Sequence, residues 1–142
     1  MLASKNIEIV KEIGKIISTS YYSTEFTEDL IGVEVCAATK NIYSMLIGAS
    51  EGLSGNNIDG EIKKKYYLNT AASLIYKSLS EMKKLTKKLK GKDETVFGLA
   101  GLGDLHVSAA GGRNSMMGNY LGEGLLYNDA KKKYMKETTV EG

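Results

Sequence analysis

The sequence predicts an all-α fold, a helical bundle with one short strand near its N-terminus. Three observations lead to this class. Apolar residues recur with helical spacing along most of the chain, proline is absent from all 142 residues, and glycines collect in clusters that separate the periodic segments. The glycine clusters lie at residues 48–60, 98–112 and 118–124. A chain of this length fits one domain and can bury a core of its own.

The first part of the chain contains two predicted helices and the predicted strand. Residues 6–18 are expected to form an amphipathic helix, because their apolar residues follow the i, i+3, i+4, i+7 spacing. Residues 21–26 are short, aromatic and contain threonine, which predicts an extended strand. Asp29 is placed to cap a helix over residues 30–52. Since that helix is apolar on nearly all sides, it is expected in the middle of the core.

A glycine-rich turn over residues 52–57 leads into a long helical region that runs to Leu89. Gly91 suits the C-terminal stop of this helix. One face of the region carries a predicted buried stripe. Its members are Tyr67, Leu68, Ala71, Leu74, Ile75, Leu79, Met82 and Leu85.

Two shorter helices are predicted in the last third of the chain. One starts after Asp93 and carries residues 96–100, and the other starts near Asn114 and continues to Leu121. The tail over residues 128–138 is mostly polar. No alternation of strands and helices of the βαβ kind is visible anywhere in the sequence.

The composition is that of an ordinary soluble domain, with 42% apolar and 25% charged residues. No uninterrupted apolar stretch approaches the roughly 18 residues of a membrane span. The net charge is only +2, and 18 lysines accompany one arginine, so the lysine clusters are interpreted as solvated helix faces rather than a nucleic-acid surface. The single cysteine, Cys36, excludes an internal disulfide and, with no secretory signal visible, favours a cytoplasmic location.

Lys40 is unusual because it sits in a densely apolar turn of the second predicted helix. Burial disfavours a charged ammonium, and a lysine desolvated in this way becomes a general base near neutral pH. The alternative is a lysine whose aliphatic stem lies on the core while its ammonium group reaches water.

Asp104 directly follows three closely spaced glycines, Gly98, Gly101 and Gly103, and has apolar neighbours on both sides. Glycines at this spacing allow another backbone or a ligand to approach closely. A carboxylate among apolar residues requires a partner, and Lys40 is a candidate. The alternatives are a helix cap and a purely structural ion pair.

Arg113, the only arginine, follows Gly111 and Gly112 at the start of a predicted helix. A helix start attracts anions, and a guanidinium binds a phosphate through two parallel hydrogen bonds. Asn114 adds a neutral donor. The alternative is a generic salt bridge. The lone His106 is interpreted as a structural or surface residue and gives no metal-site signal.

Five motifs follow one another between residues 29 and 124. They are Ile31-Gly32-Val33-Glu34-Val35 leading to Ala38-Thr39-Lys40-Asn41, the turn Gly52-Leu53-Ser54-Gly55-Asn56-Asn57 with Glu81-Met82 after it, Thr95-Val96-Phe97 with Gly98-Leu99-Ala100-Gly101-Leu102-Gly103-Asp104-Leu105, Arg113-Asn114, and Leu121-Gly122-Glu123-Gly124. In this order they resemble the C-terminal, substrate-binding domain of NAD(P)-dependent glycerol-3-phosphate dehydrogenases. The resemblance implies a helical bundle like that of the 6-phosphogluconate dehydrogenases.

The resemblance implies an oxidoreductase that interconverts sn-glycerol 3-phosphate and dihydroxyacetone phosphate with NAD or NADP as cofactor. It implies that Lys40 is the catalytic proton acceptor for the secondary hydroxyl of the substrate. It makes Asp104 the carboxylate that pairs with this lysine and contacts the substrate. Asn41, beside Lys40 in the same motif, is assigned to the substrate as well.

The remaining implied roles concern the phosphate and the nucleotide. Arg113 and Asn114 match the pair that binds the substrate phosphate, with Arg113 also near the nucleotide. Ser108 supplies a hydroxyl near the phosphate, and Gly112 contributes only its backbone. Glu141 resembles a family position near the nucleotide.

Residues 1–28 resemble the end of an N-terminal nucleotide-binding domain, and residues 29–142 resemble part of the C-terminal domain. The Rossmann domain that holds most of the cofactor is outside these 142 residues, so we expect little or no dehydrogenase activity from the chain alone. The family implies a homodimer in glycerol and glycerophospholipid metabolism, with no nucleic-acid partner. The alternative function is a non-catalytic helical module that dimerises or binds a partner through exposed apolar surface.

Overall fold

Helices dominate the computed structural model, which describes residues 1–55 and 60–141, with backbone alone over 60–66. The described elements confirm the predicted helical class. In chain order they are β1 (Leu2–Ala3), α1 (Ile7–Ile17), β2 (Phe26–Thr27), α2 (Leu30–Leu53), α3 (Gly60–Lys88), α4 (Asp93–Phe97), a π-helical turn (Leu99–Gly103), α5 (Asp104–Ala109), α6 (Arg113–Gly122) and α7 (Tyr127–Tyr134).

The N-terminal segment forms a small βαβ unit in which β1 and β2 pair in parallel across α1. Helix α1 forms as predicted, with the Asn6 side chain accepting a hydrogen bond from the Glu8 amide at 3.2 Å. The predicted strand over residues 21–26 is wrong in position, and the absence of a βαβ unit is also wrong. Thr19 and Tyr22 instead close a turn, with the Thr19 amide 2.8 Å from the Tyr22 carbonyl oxygen. Two-residue strands leave too little pattern to be recognised, since their pairing is non-local.

Helix α2 lies at the centre of the bundle and packs against α3, α4, α5 and α6. As predicted, Asp29 caps it, with its Oδ1 accepting a hydrogen bond from the Gly32 amide at 3.0 Å. Cys36 and Ile47 are fully buried in the main apolar cluster, together with residues of α3, α4 and α5. The expectation that α2 is covered on all sides is wrong in part, because Ile42 and Leu46 are each 53% exposed.

Among the described helices, α2 alone is long and apolar enough to cross a membrane by length and composition. The central helix of a water-soluble bundle has the same two properties. One third (33%) of its apolar window is buried, where α2 packs against the other helices of the bundle.

Helices α2 and α6 run parallel with their backbones in contact, and this contact sets the geometry of the site described below. Gly48 and Gly52 of α2 face α6, and Gly118 and Gly122 of α6 face α2. A methyl group on Gly48 would lie 2.0 Å from the carbonyl oxygen of Ser115, and each of the other three glycines is equally close to a carbonyl of the other helix. Small residues four apart on both helices permit this approach. The start of α6 is therefore held beside the middle of α2.

The C-terminus of α3 closes in a Schellman motif, with the Gly91 amide bonded to the Thr86 carbonyl at 2.9 Å and the Lys90 amide to the Lys87 carbonyl at 3.1 Å. Gly91 marks the end of the helix as predicted, but the left-handed residue is Lys90, with φ of 69°. Gly91 is required for a different reason: a methyl group there would lie 2.9 Å from the Gly32 amide nitrogen.

Several predicted boundaries differ from the structure. The turn over residues 52–57 begins later than predicted, because Gly52 and Leu53 still belong to α2, and Asn56 and Asn57 lie outside the described residues. In the tail, α7 was not predicted. It forms because Ala130 and Met135, 0% and 1% exposed, pack against Met117 in a second apolar cluster.

Candidate active site

The Nζ atom of Lys40 lies 2.6 Å from Oδ2 of Asp104. The two side chains are 25% and 39% exposed, so the pair is half-buried rather than enclosed in the core. The structure thus confirms the expected partnership of these two charges. Asp104 is the first residue of α5, and Gly103 is the N-cap.

A π-helical turn brings Asp104 to Lys40. The predicted helix through residues 96–100 is interrupted at Gly98, and the backbone then winds more widely over Leu99–Gly103, with the Gly103 amide bonded to the Gly98 carbonyl at 3.2 Å. A methyl group on Gly101 would lie 2.0 Å from the Val96 carbonyl oxygen, so this position requires glycine. Single π-turns of this kind are common at functional sites, where they redirect a side chain.

Cys36 lies one turn before Lys40 and is fully buried. Burial raises the pKa of the Cys36 thiol to about 11, and the carboxylates of Asp29 and Asp104 add to the shift. The thiol therefore stays protonated at neutral pH, which makes Cys36 unsuited to nucleophilic chemistry.

A cavity of about 220 Å³ lies between α2, α5 and the start of α6. Its lining brings together seven of the eight predicted site residues and two that were not predicted. The seven are Lys40, Asn41, Ser108, Gly112, Arg113, Asn114 and Glu141, and the other two are Ser44 and Val107.

Asp104 is the eighth predicted residue, and it faces a neighbouring cavity of about 710 Å³ rather than the first one. Val33, Ala37 and Leu99 give this second cavity mostly apolar walls, and His106 lies at its exposed rim. The Lys40–Asp104 pair therefore stands between a small polar cavity and a larger apolar one. The exposed position of His106 agrees with its interpretation as a surface residue.

Arg113 is the first residue of α6, and Gly112 precedes it in an extended conformation. A helix start leaves backbone N–H groups without intrahelical partners, and here they lie beside the cavity. Gly112 cannot carry a side chain, because a methyl group would lie 2.5 Å from the Ser108 carbonyl oxygen. That carbonyl accepts a hydrogen bond from the Gly112 amide at 3.0 Å, and Ser108 also lines the cavity.

Glu141 enters the cavity from the C-terminal segment. Its Oε1 lies 3.0 Å from a terminal nitrogen of Arg113, and its Oε2 accepts a hydrogen bond from Nδ2 of Asn41 at 3.2 Å. Its backbone amide donates to Oδ1 of Asn114 at 3.0 Å. The salt-bridge interpretation of Arg113 is therefore confirmed, and anion binding by its guanidinium, which lines the cavity, stays a prediction.

Ser44 is the buried residue of the cavity that sequence reasoning missed. It is 1% exposed, and its hydroxyl donates to the Asn41 carbonyl at 3.0 Å. Its position, one helical turn after Lys40 on the same helix, is the feature of the sequence that could have identified it. Among the side chains that the structure describes, those of residues 1–55 and 67–141, no three His, Cys, Asp or Glu groups cluster as a metal site would require.

Comparison with known proteins gives the family. A family model described as the C-terminus of NAD-dependent glycerol-3-phosphate dehydrogenase matches residues 29–142. The NADP(+)-dependent glycerol-3-phosphate dehydrogenase of Archaeoglobus fulgidus is 34% identical over 134 residues, which make up 94% of this chain and 38% of that protein. A glycerol-3-phosphate dehydrogenase (NAD(P)+) of Coxiella burnetii is 35% identical over 133 residues, 92% of this chain and 37% of that protein.

Comparison with solved structures leads to the same family. The crystal structure of glycerol-3-phosphate dehydrogenase from Coxiella burnetii superposes with a TM-score of 0.79 at 33% identity, covering 94% of this chain and 38% of that one. A structure of DsGPDH of Dunaliella salina gives a TM-score of 0.79 at 25% identity, covering 99% of this chain and 24% of that one. The chain thus spans well under half the length of these relatives. It belongs to the family of NAD-dependent glycerol-3-phosphate dehydrogenases, and its residues 29–142 correspond to their C-terminal domain.

Proposed function

We propose that the chain supplies the substrate-binding and proton-transferring part of an sn-glycerol 3-phosphate:NAD(P)+ oxidoreductase. The observation that supports this proposal is the meeting of an amine, a guanidinium and a helix start around one cavity, with the carboxylate partner of the amine at the boundary to the neighbouring cavity. A three-carbon phosphate ester needs such a set, with fixed donors for the phosphate at one end and a base for the hydroxyl at the other.

At the phosphate end, Arg113 binds two oxygens and the backbone N–H groups at the start of α6 bind the others. Ser108 and Asn114 add neutral groups next to the guanidinium. Gly112 keeps the helix start open, because it has no side chain to fill the space.

At the reacting end, Lys40 in its neutral form takes the proton of the secondary hydroxyl, and in the reverse direction its ammonium returns that proton. Asp104 holds the lysine nitrogen in place and stabilises the ammonium that forms. Oxidation also removes a hydride from the carbinol carbon, and NAD(P)+ supplies the hydride-accepting chemistry when bound. The mostly apolar cavity on the Asp104 side fits the approach of a flat, weakly polar ring next to this pair.

Calorimetric titration of glycerol 3-phosphate into the chain tests the proposal, with glycerol as the ligand that lacks the phosphate. We expect glycerol 3-phosphate to bind to the chain. We expect Arg113→Ala to raise the Kd of glycerol 3-phosphate by roughly tenfold or more, because a hydrogen-bonded charge pair is lost. Lys136→Ala is the matched control, because Lys136 is an exposed cation outside the cavity lining. Equal binding of glycerol, or no effect of Arg113→Ala, would reject the proposal.

A homodimer and a cytoplasmic location are part of the same proposal. The described surface offers an apolar stripe along α2 for association, with Ile42, Leu46 and Leu53 at 53%, 53% and 70% exposed. The same stripe is the observation that favours the second candidate function, a non-catalytic helical module. Sedimentation of the chain and of Leu46→Glu tests association through this stripe. The titration with glycerol 3-phosphate separates the two functions, because the module hypothesis requires association without any binding of glycerol 3-phosphate.

A further inference from the structure

One residue engages three of the side chains that the proposed function assigns to the substrate. The Glu141 carboxylate accepts from Arg113 at 3.0 Å and from Asn41 at 3.2 Å, while its backbone amide donates to Asn114 at 3.0 Å. We propose that Glu141 is an internal anion that occupies these donors and competes with a phosphate ester for them. The inference rests on the proposed function, since it concerns the regulation of the same site.

A phosphate must compete with Glu141 because each cation that lines the cavity is already paired with a carboxylate. Lys40 is paired with Asp104, and Arg113 is paired with Glu141, so both cations that line the cavity are already neutralised. A dianionic phosphate that approached Arg113 with Glu141 in place would meet a carboxylate about 3 Å from the same guanidinium. Phosphate binding is therefore favourable only when the carboxylate moves away and leaves Arg113 uncompensated.

The segment that carries Glu141 is fixed, so the carboxylate returns to the same donors. Met135 is 1% exposed and packs in the cluster of Met117 and Ala130, with Val140 against it. The Lys131 ammonium donates to the carbonyl of Met135 at 3.0 Å and also to that of Thr138. A tethered carboxylate held in this way acts as an intramolecular competitor, present at high effective concentration.

The exchange itself does not require the core to open. The Arg113 and Glu141 side chains are 55% and 52% exposed, so the carboxylate can rotate into solvent while the backbone stays anchored. An exposed ion pair of this kind forms with an equilibrium constant K of about 1.4 to 5. An internal competitor weakens binding by the factor 1 + K, so removing it should tighten phosphate binding roughly two- to sixfold.

Calorimetric titration of the chain with glycerol 3-phosphate tests the inference in four proteins: the original sequence, Glu141→Gln, Glu141→Ala and the control Glu137→Ala. Glu137 is an exposed carboxylate in the same segment and is not among the residues lining the cavity. Its variant removes equal charge without touching the donors. We expect Kd to fall in the order original, Glu141→Gln, Glu141→Ala, and to be unchanged by Glu137→Ala.

A residue that helps to bind the ligand gives the opposite sign, since its removal raises Kd. If the original chain binds and the two Glu141 variants bind equally or more weakly, the internal-anion inference is overturned and the proposed function stands. If the control tightens binding as much as Glu141→Ala, general charge is responsible and the inference is again overturned. If none of the four proteins binds, both the inference and the proposed function are rejected.

Discussion

The ammonium of Lys40 and the carboxylate of Asp104 lie 2.6 Å apart although 64 residues separate them in sequence. Lys40 lies in the central helix α2, and Asp104 is the residue that directly follows the π-helical turn. Because the pair is partly exposed, at 25% and 39%, we expect it to contribute little to the stability of the fold.

Asp104→Asn should therefore lower the free energy of unfolding by no more than about 1 kcal/mol, the range of exposed ion pairs. Urea denaturation of the variant measures this. The control is Asp93→Asn, which breaks the surface pair between Lys83 and Asp93 at 3.1 Å. A loss of several kcal/mol in Asp104→Asn alone would mean that the pair is a structural element of the core.

The glycine contact between α2 and α6 should be intolerant of a single methyl group. Gly118→Ala places a Cβ 2.0 Å from the Met45 carbonyl oxygen, and backbone cannot move aside as a side chain can. We expect about 1–3 kcal/mol of destabilisation from overpacking, measured by thermal or urea unfolding, together with weaker binding of glycerol 3-phosphate as the helices separate. Gly98→Ala is the matched control, since its Cβ would meet atoms no closer than 3.4 Å. Equal stability of the two variants would contradict the close contact.

Asp29 should make the stability of the protein depend on pH. Burial acts to raise the pKa of this carboxyl, but hydrogen bonds from the Thr95 hydroxyl and from the amides of Gly32 and Lys92 outweigh it, so the pKa lies below its ordinary value. A carboxyl with a lowered folded-state pKa stabilises the protein above its unfolded pKa of about 4, and this stabilisation is lost as the pH falls through the folded pKa.

The variant Asp29→Asn tests this. We expect it to be less stable than the original by about 1–3 kcal/mol at pH 7, because hydrogen bonds to a charged group are lost. The difference in unfolding free energy should shrink as the pH drops below about 4. A difference that stays constant from pH 7 to pH 3 would show that the ionised form of Asp29 is not what the fold stabilises.

Part of the fold and part of the candidate site could be predicted from the sequence. The sequence could predict Asp29 as a helix cap, because aspartate is favoured at the N-cap position. It could also predict the pairing of Lys40 with Asp104, because an uncompensated charge among apolar residues requires a partner. The π-helical turn was not predictable, because nothing in the glycine, leucine and alanine sequence of Leu99–Gly103 distinguishes this wider winding from an ordinary helical turn. The salt bridge of Arg113 with Glu141 was equally hidden, since it depends on how Met135 anchors the C-terminal segment.

Cys36 should be unreactive in the folded protein. It is 0% exposed, and burial raises the pKa of its thiol to about 11. We expect Ellman's reagent at pH 8 to label the single thiol slowly in the native state and at once in denaturant. Rapid labelling of the native protein would place Cys36 in a more open environment.

The chain by itself should show little or no dehydrogenase activity. It spans 38% of the length of the Archaeoglobus fulgidus enzyme, and the resemblance assigns most of the cofactor contacts to the N-terminal domain. Absorbance at the NADH band during incubation with dihydroxyacetone phosphate measures this. Sustained turnover would show that these residues suffice to bind the cofactor productively.

A crystal structure of the chain grown with glycerol 3-phosphate is the most direct measurement of where the substrate lies. We expect the phosphate at Arg113 and the start of α6, the secondary hydroxyl within hydrogen-bond distance of the Lys40 amine, and the Glu141 carboxylate turned away from the guanidinium. A ligand bound elsewhere on the helical surface, with the small cavity between Lys40 and Arg113 left without it, would contradict the assignment of this cavity to the substrate.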